Sequence, residues 1–529
     1  MKNRFLLCIG LLFILISSVS AQEYGQLSGS FESNSNYYFK DNKLGIKTLD
    51  DRFASNNYLT CKYTFKNFTA GLRYESYLPA LIGYDRNMYK GSDIANRYIS
   101  FNSKDLFITV GNFYEQFGSG LILRSFEERQ LGIDNSLDGV KLVYNFKDIV
   151  RLKGVAGQHR FGFERGVGKV RGADFDISLK NVLFEKSSYN IVFGGSFVSR
   201  FQDYSGPVDN VPTAVDAYSA RCDFESENAN ISVEYVEKGK DFNEDLRIMI
   251  PKGKALLVNG SSYFKGLTFN YIFRCVDHMT YSSQRNSIPP YLSLNYIPVL
   301  VKQHSYSLSN IYVYASQTDS EIGAQFDLMY KFKRNSFLGG KYGTQLAFNC
   351  SILNALEEKK GKQEFLSFDG TNYYKDFSFE MTKKWNKKFK TIFTYHFQEY
   401  NKGVLEHTKK FIVKPQVCIL DMTYKMARRK SLRVELQHLY ADNDMRSWMA
   451  ALVELSFAPR FSFYVGDDYN YGNENSKIHY YSAGATYSHG ATKLIASYGR
   501  QRGGITCVGG VCRMIPSMNA FSLSISTRF

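Results

Sequence analysis

Residues Ser517 to Phe529 read S-M-N-A-F-S-L-S-I-S-T-R-F. Every second residue forms one mostly apolar set, which is Phe521, Leu523, Ile525, Thr527 and Phe529. The residues between them, from Ala520 to Arg528, are small or polar. Successive side chains of a β-strand point to opposite faces of the sheet. The stretch therefore predicts a strand with one apolar face and one polar face.

This ending resembles the terminal strand of bacterial outer-membrane barrels. In those proteins the barrel-assembly machinery recognises the final aromatic residue and the alternating apolar residues before it. The resemblance implies a C-terminal assembly signal formed by Phe521, Leu523, Ile525 and Phe529. The alternative for this stretch alone is an ordinary edge strand of a soluble β-domain.

The first 21 residues have the pattern of a secretory signal peptide. Lys2 and Arg4 are basic, residues 5–16 are apolar, and Val19-Ser20-Ala21 is a small-residue cleavage site. We therefore expect two parts, a signal peptide over 1–21 and a single outer-membrane β-barrel over 22–529.

The composition of the remaining residues is typical of a membrane barrel. The full chain contains 42 Phe and 39 Tyr but only 2 Trp, and no composition break marks a domain boundary. After Ala21, no stretch has the roughly 18 consecutive apolar residues that a membrane helix needs. A membrane barrel needs fewer apolar residues than a helical membrane protein, because only alternate residues of its strands face lipid.

Alternating apolar and polar residues recur along the whole chain in runs of about 9–12 residues, which is the length of a tilted membrane strand. Short and long connections alternate between these runs, as in outer-membrane barrels. Residues 307–315 could form another strand, but that would give an odd count, so we assign them to a loop. The sequence thus predicts an all-β, antiparallel transmembrane barrel of about 24 strands, with 22 or 26 as alternatives. Examples of the runs are Leu267-Phe269-Tyr271-Phe273-Cys275, Ile322-Ala324-Phe326-Leu328-Tyr330 and Phe389-Thr391-Phe393-Tyr395-Phe397.

A barrel of 24 strands has a wide lumen. The first strand is predicted near Gly25, which leaves no room for the N-terminal plug domain of a TonB-dependent transporter. We therefore expect the long external loops to fill part of the lumen. Segment 111–139 is the first candidate, because it interleaves apolar residues with charges, and loop 278–320 is the second. The charged residues predicted at a luminal constriction are Glu115, Arg124, Glu127, Glu128, Arg129 and Asp134. The alternative for segment 111–139 is an external cap that packs on neighbouring loops.

Cys507 and Cys512 flank Gly509-Gly510 within one predicted external loop. A glycine pair allows a tight turn, and the cell envelope is oxidising, so we predict a disulfide between them. The other cysteines after residue 21 occur singly, each on the apolar set of its strand. We interpret these as small lipid-facing residues: Cys61, Cys222, Cys275, Cys350 and Cys418.

Three stretches resemble an uncharacterised family of outer-membrane barrels from Bacteroidota. They are segment 111–139, S-F-L-G-G-K-Y-G at Ser336 to Gly343, and Q-R-G-G-I-T-C-V-G-G-V-C at Gln501 to Cys512. The family has domain-of-unknown-function status. The resemblance therefore implies the fold and a location in the bacterial outer membrane, but no activity and no site residues.

No catalytic or metal-ligating constellation is evident in the sequence, and the eight histidines lack ligand spacing. We therefore expect no enzyme, no cofactor and no metal. The net charge of +16 falls to about +14 without Lys2 and Arg4. We attribute this charge to a basic lumen and to contact with lipopolysaccharide rather than to nucleic-acid binding.

Two functions agree with these expectations. The first is a porin-like channel for small solutes, including anionic ones. The alternative is a non-conducting structural or accessory barrel that binds other envelope proteins in secretion or assembly. The expected partners are outer-membrane lipid, lipopolysaccharide, the barrel-assembly machinery and an envelope protein.

Overall fold

The computed structural model describes residues 24–47, 51–183, 187–287, 291–408, 411–474, 477–508 and 511–529. The predicted signal peptide over 1–21 lies outside these residues, and so do Gly509 and Gly510. The described chain forms a closed antiparallel β-barrel with 24 wall strands. The predicted fold class and strand number are therefore confirmed.

The wall strands, numbered β1 to β24 in chain order, have the following bounds. They are Gln26–Tyr38, Phe53–Phe65, Phe68–Tyr77, Gly91–Asn102, Leu106–Phe113, Leu137–Phe146, Val150–Phe161, Glu164–Ser178, Tyr189–Phe201, Ala214–Ser226, Ala229–Lys238, Gly253–Phe264, Leu267–Asp277, Ser320–Lys331, Thr344–Asn354, Asn372–Lys384, Phe389–Asn401, Gln416–Ala427, Lys430–Tyr440, Trp448–Phe457, Phe461–Tyr469, His479–His489, Thr492–Gln501 and Met518–Arg528.

The barrel closes where β24 pairs with β1. Phe521 lies opposite Tyr37, and Thr527 lies opposite Phe31. Each of the 24 strands thus has a hydrogen-bonded neighbour on both sides, which a lipid environment requires. Residues 307–315 contain a 3-10 turn at Leu308–Asn310 instead of a strand, so their assignment to a loop is confirmed.

The two ends of the barrel differ. At one end, which we call the turn end, most connections have two to four residues, and the longer ones are 179–188 and 332–343. At the opposite end, which we call the loop end, the longest connections are 114–136, 278–319 and 355–371.

The outer wall carries the predicted apolar set. Phe326 is 48% exposed, and Phe393 is also exposed on the same outer face. Cys222 and Cys418 are exposed as well. Among the described residues, no helix is long and apolar enough to cross a bilayer.

The expectation that Cys275 faces lipid is wrong, because loop 355–371 folds back over the outside of the wall. The backbone N–H of Leu366 donates to the Cys275 sulfur at 3.4 Å, and the ring of Phe368 lies 6.0 Å from that of Phe273. Cys275 is therefore fully buried beneath the loop.

Candidate functional site

Segment 114–136 folds into the lumen and forms an apolar core with the inner wall. Its residues Phe117, Leu121, Ile122 and Leu123 are completely buried. They belong to one cluster with wall residues from seven consecutive strands, β7 to β13, which are Val155, Val170, Val198, Val215, Val236, Ala255, Leu257 and Val276. The prediction that this segment packs inward is confirmed.

Two glycines permit this close approach. A Cβ atom at Gly172 on the wall would lie 2.8 Å from the Phe117 ring, so a larger residue there would displace the ring. Gly118 has a φ of +51°, and a Cβ atom there would lie 2.6 Å from the carboxylate of Glu234. That carboxylate accepts from the backbone N–H of Ser119 at 2.8 Å. Glu234 therefore holds the tip of the segment against the wall.

Glu115 fastens the start of the segment to the wall. Its carboxylate oxygens lie 3.3 Å from Lys141 Nζ and 3.1 Å from Lys153 Nζ. Burial would raise the pKa of Glu115, but the charges of Lys153 and Lys141 outweigh burial and lower it. Glu115 is therefore an ionised and paired anchor.

Asp134 fastens the end of the segment in a buried ion cluster. Its carboxylate contacts Arg160 at 2.5 Å and also pairs with Arg73. Arg160 in turn contacts Glu75 at 2.5 Å, and Arg73 contacts Glu127 at 3.0 Å. Burial alone would raise the pKa of Asp134, but the two guanidinium groups hold it at about 2.

The remaining predicted residues also have specific partners. Arg129 contacts Glu32 on β1 at 2.6 Å, and Glu128 accepts from the backbone N–H of Gln130 at 3.0 Å. Arg124 stacks over the ring of Tyr296 at 3.8 Å. All six residues predicted at a luminal constriction thus lie on segment 114–136 inside the barrel, and each has a specific partner. That they line an ion path stays a prediction.

Loop 278–319 fills the other side of the lumen. Its buried residues Leu300, Leu308, Tyr312 and Tyr314 form a second core with wall residues that include Val417, Ile419, Leu439 and Trp448. The backbone N–H of Leu308 donates to Gln437 Oε1 at 3.0 Å. The two loops also join each other, since the N–H of Arg124 donates to the carbonyl of Leu294 at 2.7 Å. We call segment 114–136 and loop 278–319 together the plug.

A disulfide hairpin covers the plug at the loop end. Its strands Gly504–Val508 and Val511–Ile515 place Cys507 directly opposite Cys512, and a disulfide joins them. Gln303 of the plug donates to the carbonyl of Cys507 at 2.9 Å. The structure thus contains the predicted disulfide, and the hairpin rests on loop 278–319.

Open spaces remain between the plug and the wall, and two of them are defined by their lining residues. One is a cavity of about 820 Å³ between the plug and the wall, with Lys302, Arg433, Arg500 and Arg502 in its lining. The other is a charged vestibule of about 590 Å³ beneath Gly118 and Ser119, near the turn end.

The whole sequence, residues 1–529, matches one family, described as "Family of unknown function (DUF6029)". The chain belongs to the DUF6029 family. None of the curated proteins that were compared matches it.

Several solved structures resemble this DUF6029 chain. The translocation pore of the P pilus usher PapC is 9% identical, with a TM-score of 0.47, over 95% of this chain and 99% of that chain. The siderophore receptor PirA from Pseudomonas aeruginosa is 10% identical, with a TM-score of 0.40, over 96% and 81%. The outer membrane protein opdK from Pseudomonas aeruginosa is 9% identical, with a TM-score of 0.36, over 95% and 98%. At these identities the similarity concerns the fold alone.

The closed antiparallel wall of this DUF6029 chain, with its apolar outer face, has the architecture typical of outer-membrane β-barrels. Short turns are periplasmic in such barrels, which predicts that the turn end faces the periplasm. There, Phe529 exchanges two backbone hydrogen bonds with Gly29, at 2.8 and 3.0 Å. Phe521 and Phe529 are both exposed at the seam. The role of these residues as an assembly signal stays a prediction.

One side of the rim at the turn end of this DUF6029 barrel is strongly basic. Segments 331–344, 381–391 and 422–432 together carry thirteen Lys or Arg residues and no Asp or Glu. Phe337, in the turn between β14 and β15, is 99% exposed beside them. We call these three segments the basic rim. The sequence shows the charge runs, but their adjacency depends on the order of the strands.

A buried group formed by His304, Asp376 and His396 has no recognisable signature in the sequence. The three residues are far apart in the chain, so no ligand spacing reveals them. Asp376 and His396 belong to the polar sets of β16 and β17, and that alternation indicates that both face the lumen. Nothing in the sequence indicates that His304 reaches them.

Proposed function

We propose that this protein is a self-plugged accessory barrel of the outer membrane, which docks an acidic envelope partner at its periplasmic rim. The observation that carries the proposal is the complete burial of Phe117, Leu121, Ile122 and Leu123 against the inner wall. A channel that passes solutes freely would have a water-filled lumen at this level instead of an apolar core.

The energetics favour a plug that stays in place. Burying one large apolar side chain contributes about 1.5–3 kcal/mol, and segment 114–136 buries four of them. Removing the segment would also leave Arg73 and Arg160 in the wall without Asp134. Breaking a buried ion pair by removing one partner costs about 3–5 kcal/mol. Spontaneous opening of the plug is therefore rare.

The basic rim supplies the docking surface. A cluster of charges of one sign attracts a partner of the opposite sign and speeds its association. The exposed Phe337 adds an apolar anchor next to these charges, and aromatic residues are enriched at interaction surfaces. An acidic periplasmic protein surface has the chemistry that complements both features.

Planar-bilayer recording tests the plug. We expect the parent protein to be silent and a variant that lacks 116–134 to conduct strongly, because the lumen of a 24-strand barrel is wide. The matched control lacks 358–370, a loop that packs on the outer wall, and it should remain silent. Steady conductance of the parent would refute the plug.

A second experiment tests the rim with a fluorescent polyglutamate peptide and barrels in zwitterionic nanodiscs. Binding should weaken with added salt and should fall at least tenfold in a variant carrying K387E, K388E, R428E and R429E. The control variant, with K40E and K43E at the loop end, should bind as the parent does. Equal peptide binding by both variants would overturn the docking proposal. Binding to anionic phospholipid vesicles but not to the peptide would assign the rim to lipid headgroups instead.

One observation favours a porin-like channel as the second candidate. The lining of the cavity of about 820 Å³ includes Lys302, Arg433, Arg500 and Arg502 together with Glu435 and Asp468, and this excess of cations suits an anionic solute. This function predicts chloride-selective conductance from the parent in the same bilayer recording.

A further inference from the structure

A histidine–aspartate cluster joins the plug to the wall. His304 belongs to loop 278–319, while Asp376 and His396 lie on the inner faces of β16 and β17. Asp376 Oδ2 lies 3.2 Å from His304 Nε2 and 2.7 Å from His396 Nε2. The side chains are 6%, 0% and 0% exposed for His304, Asp376 and His396. Three groups that usually prefer water are thus held together in the interior.

Hydrogen bonds alone satisfy this cluster poorly. Asp376 Oδ2 is approached by both imidazoles and by the hydroxyl of Tyr374 at 3.1 Å. Among the described residues, Asp376 Oδ1 and His396 Nδ1 have no hydrogen-bond partner, although both atoms are buried. Buried polar atoms normally have partners. Asp376 Oδ2 therefore has three polar contacts, while Asp376 Oδ1 and His396 Nδ1 lack a hydrogen-bond partner among the described residues.

The imidazoles are arranged like ligands of one ion. The ring centroids of His304 and His396 are 3.8 Å apart, and ligand atoms from all three residues lie within 4.8 Å of one another. A neutral imidazole has a nitrogen lone pair that can bind a metal ion.

The other group of potential ligands in the barrel is different. Glu75, Glu127 and Asp134 also lie close together, but Arg73 contacts all three carboxylates. Asp376, by contrast, pairs only with histidines among the described residues. Arg73 therefore compensates the negative charges of Glu75, Glu127 and Asp134. Among the described residues, no Lys or Arg compensates the charge of Asp376 in this way.

We propose that His304, Asp376 and His396 bind a divalent transition-metal ion such as Zn²⁺, which fastens loop 278–319 to the barrel wall. Two imidazoles and one carboxylate are a common ligand set for zinc. His304 also lines the adjoining cavity of about 820 Å³, so the proposed site lies beside an open space in the lumen. The proposal departs from the expectation of no metal, and it does not depend on the docking partner.

The test uses the full-length barrel in detergent, stripped with EDTA and titrated with Zn²⁺. Calorimetry and elemental analysis should give about one ion per chain. Co²⁺ in place of Zn²⁺ should give visible absorption with nitrogen-ligand character. Replacing His396 by Gln should weaken binding more than about 100-fold, since losing even an outer-shell partner costs about 10–100-fold.

Two further variants keep the result interpretable. His304→Gln changes only the loop ligand, so the wall folds as before, and it should lose binding to a similar extent. His479→Gln is the matched control, because His479 forms an exposed pair with Asp467, and it should bind as the parent does. Absence of Zn²⁺ binding by the parent, or equal binding by the parent and both ligand variants, would overturn the proposal. The readout is binding, so its failure is distinct from any result on conductance.

Discussion

Single residues of the wall divide between lipid and lumen by their position in the alternation. Phe326 and its neighbour Gln325 are adjacent on β14, yet Phe326 is 48% exposed on the outer face and Gln325 is 8% exposed. Neighbouring residues of one strand thus face different environments, one the lipid and the other the lumen.

Replacing Phe326 by Arg should destabilise the barrel by about 2–4 kcal/mol, because the substitution places a charge in the bilayer near its mid-plane. Urea unfolding in lipid vesicles measures this loss. The control is Phe337→Arg, at a fully exposed side chain in the turn between β14 and β15, which should leave the unfolding free energy unchanged. Equal unfolding midpoints for the Phe326 variant and the parent would mean that the face assignment is wrong.

Asp134 makes the anchoring of the plug sensitive to acid. Its pKa is about 2 in the barrel and about 3.9 when unfolded. A lowered pKa contributes stability that is present above about pH 4 and is lost as pH falls toward 2. The expected contribution is about 2–3 kcal/mol.

Hydrogen exchange of residues 114–136 measures this effect. After correction for intrinsic rates, protection should be constant above pH 5 and should fall below pH 4. In the Asp134→Asn variant, protection should be lower at neutral pH and should vary less with acid. Unchanged protection of the parent at pH 3 would contradict the assignment of Asp134 as an anchor.

At the scale of elements, two long loops from the same end of the barrel pack on opposite sides of its wall. Loops 278–319 and 355–371 both leave the loop end, but the first packs inside the barrel and the second packs on its outer wall. The sequence shows excess apolar residues in the first loop, which indicates burial. It does not indicate the side, because the inner valines and the outer aromatic residues are both apolar.

Loop 355–371 should therefore protect Cys275 from thiol reagents. In detergent, a small lipophilic maleimide should label Cys222 and Cys418, which are exposed, but should not label Cys275. Deleting 358–370 should make Cys275 reactive. Labelling of Cys275 in the parent at the rate of Cys222 would show that the loop does not cover it.

At the scale of the whole molecule, alternation and parity were enough to predict the class of fold and the 24 strands. The burial of segment 114–136 was also predictable, because Phe117, Leu121 and Leu123 are too apolar for a solvated loop, but these residues alone did not exclude an external cap. The partners of each charge were not predictable. Arg73, Arg160 and Asp134 come from different parts of the chain, and only the strand order brings them together.

The closing seam allows a test of the predicted assembly signal. Replacing Phe529 by Ala should reduce the amount of assembled barrel in outer membranes several-fold, as measured by heat-modifiable mobility on gels. Phe461→Ala is the control, since Phe461 is a similarly exposed aromatic residue at the turn end. Equal assembly of the two variants would argue that Phe529 contributes only as an ordinary surface aromatic residue.

The plug has a consequence for the order of events in biogenesis. Its two loops come from within the chain, between β5 and β6 and between β13 and β14, while the barrel is closed by the first and last strands. Packing on the inner wall displaces water from a space that the closed sheet surrounds. Before β1 and β24 pair, the gap between them would give this water an exit, so closure should be the last step. A chain that seals early would trap a hydrated, loosely packed interior and would have to reopen before it matures.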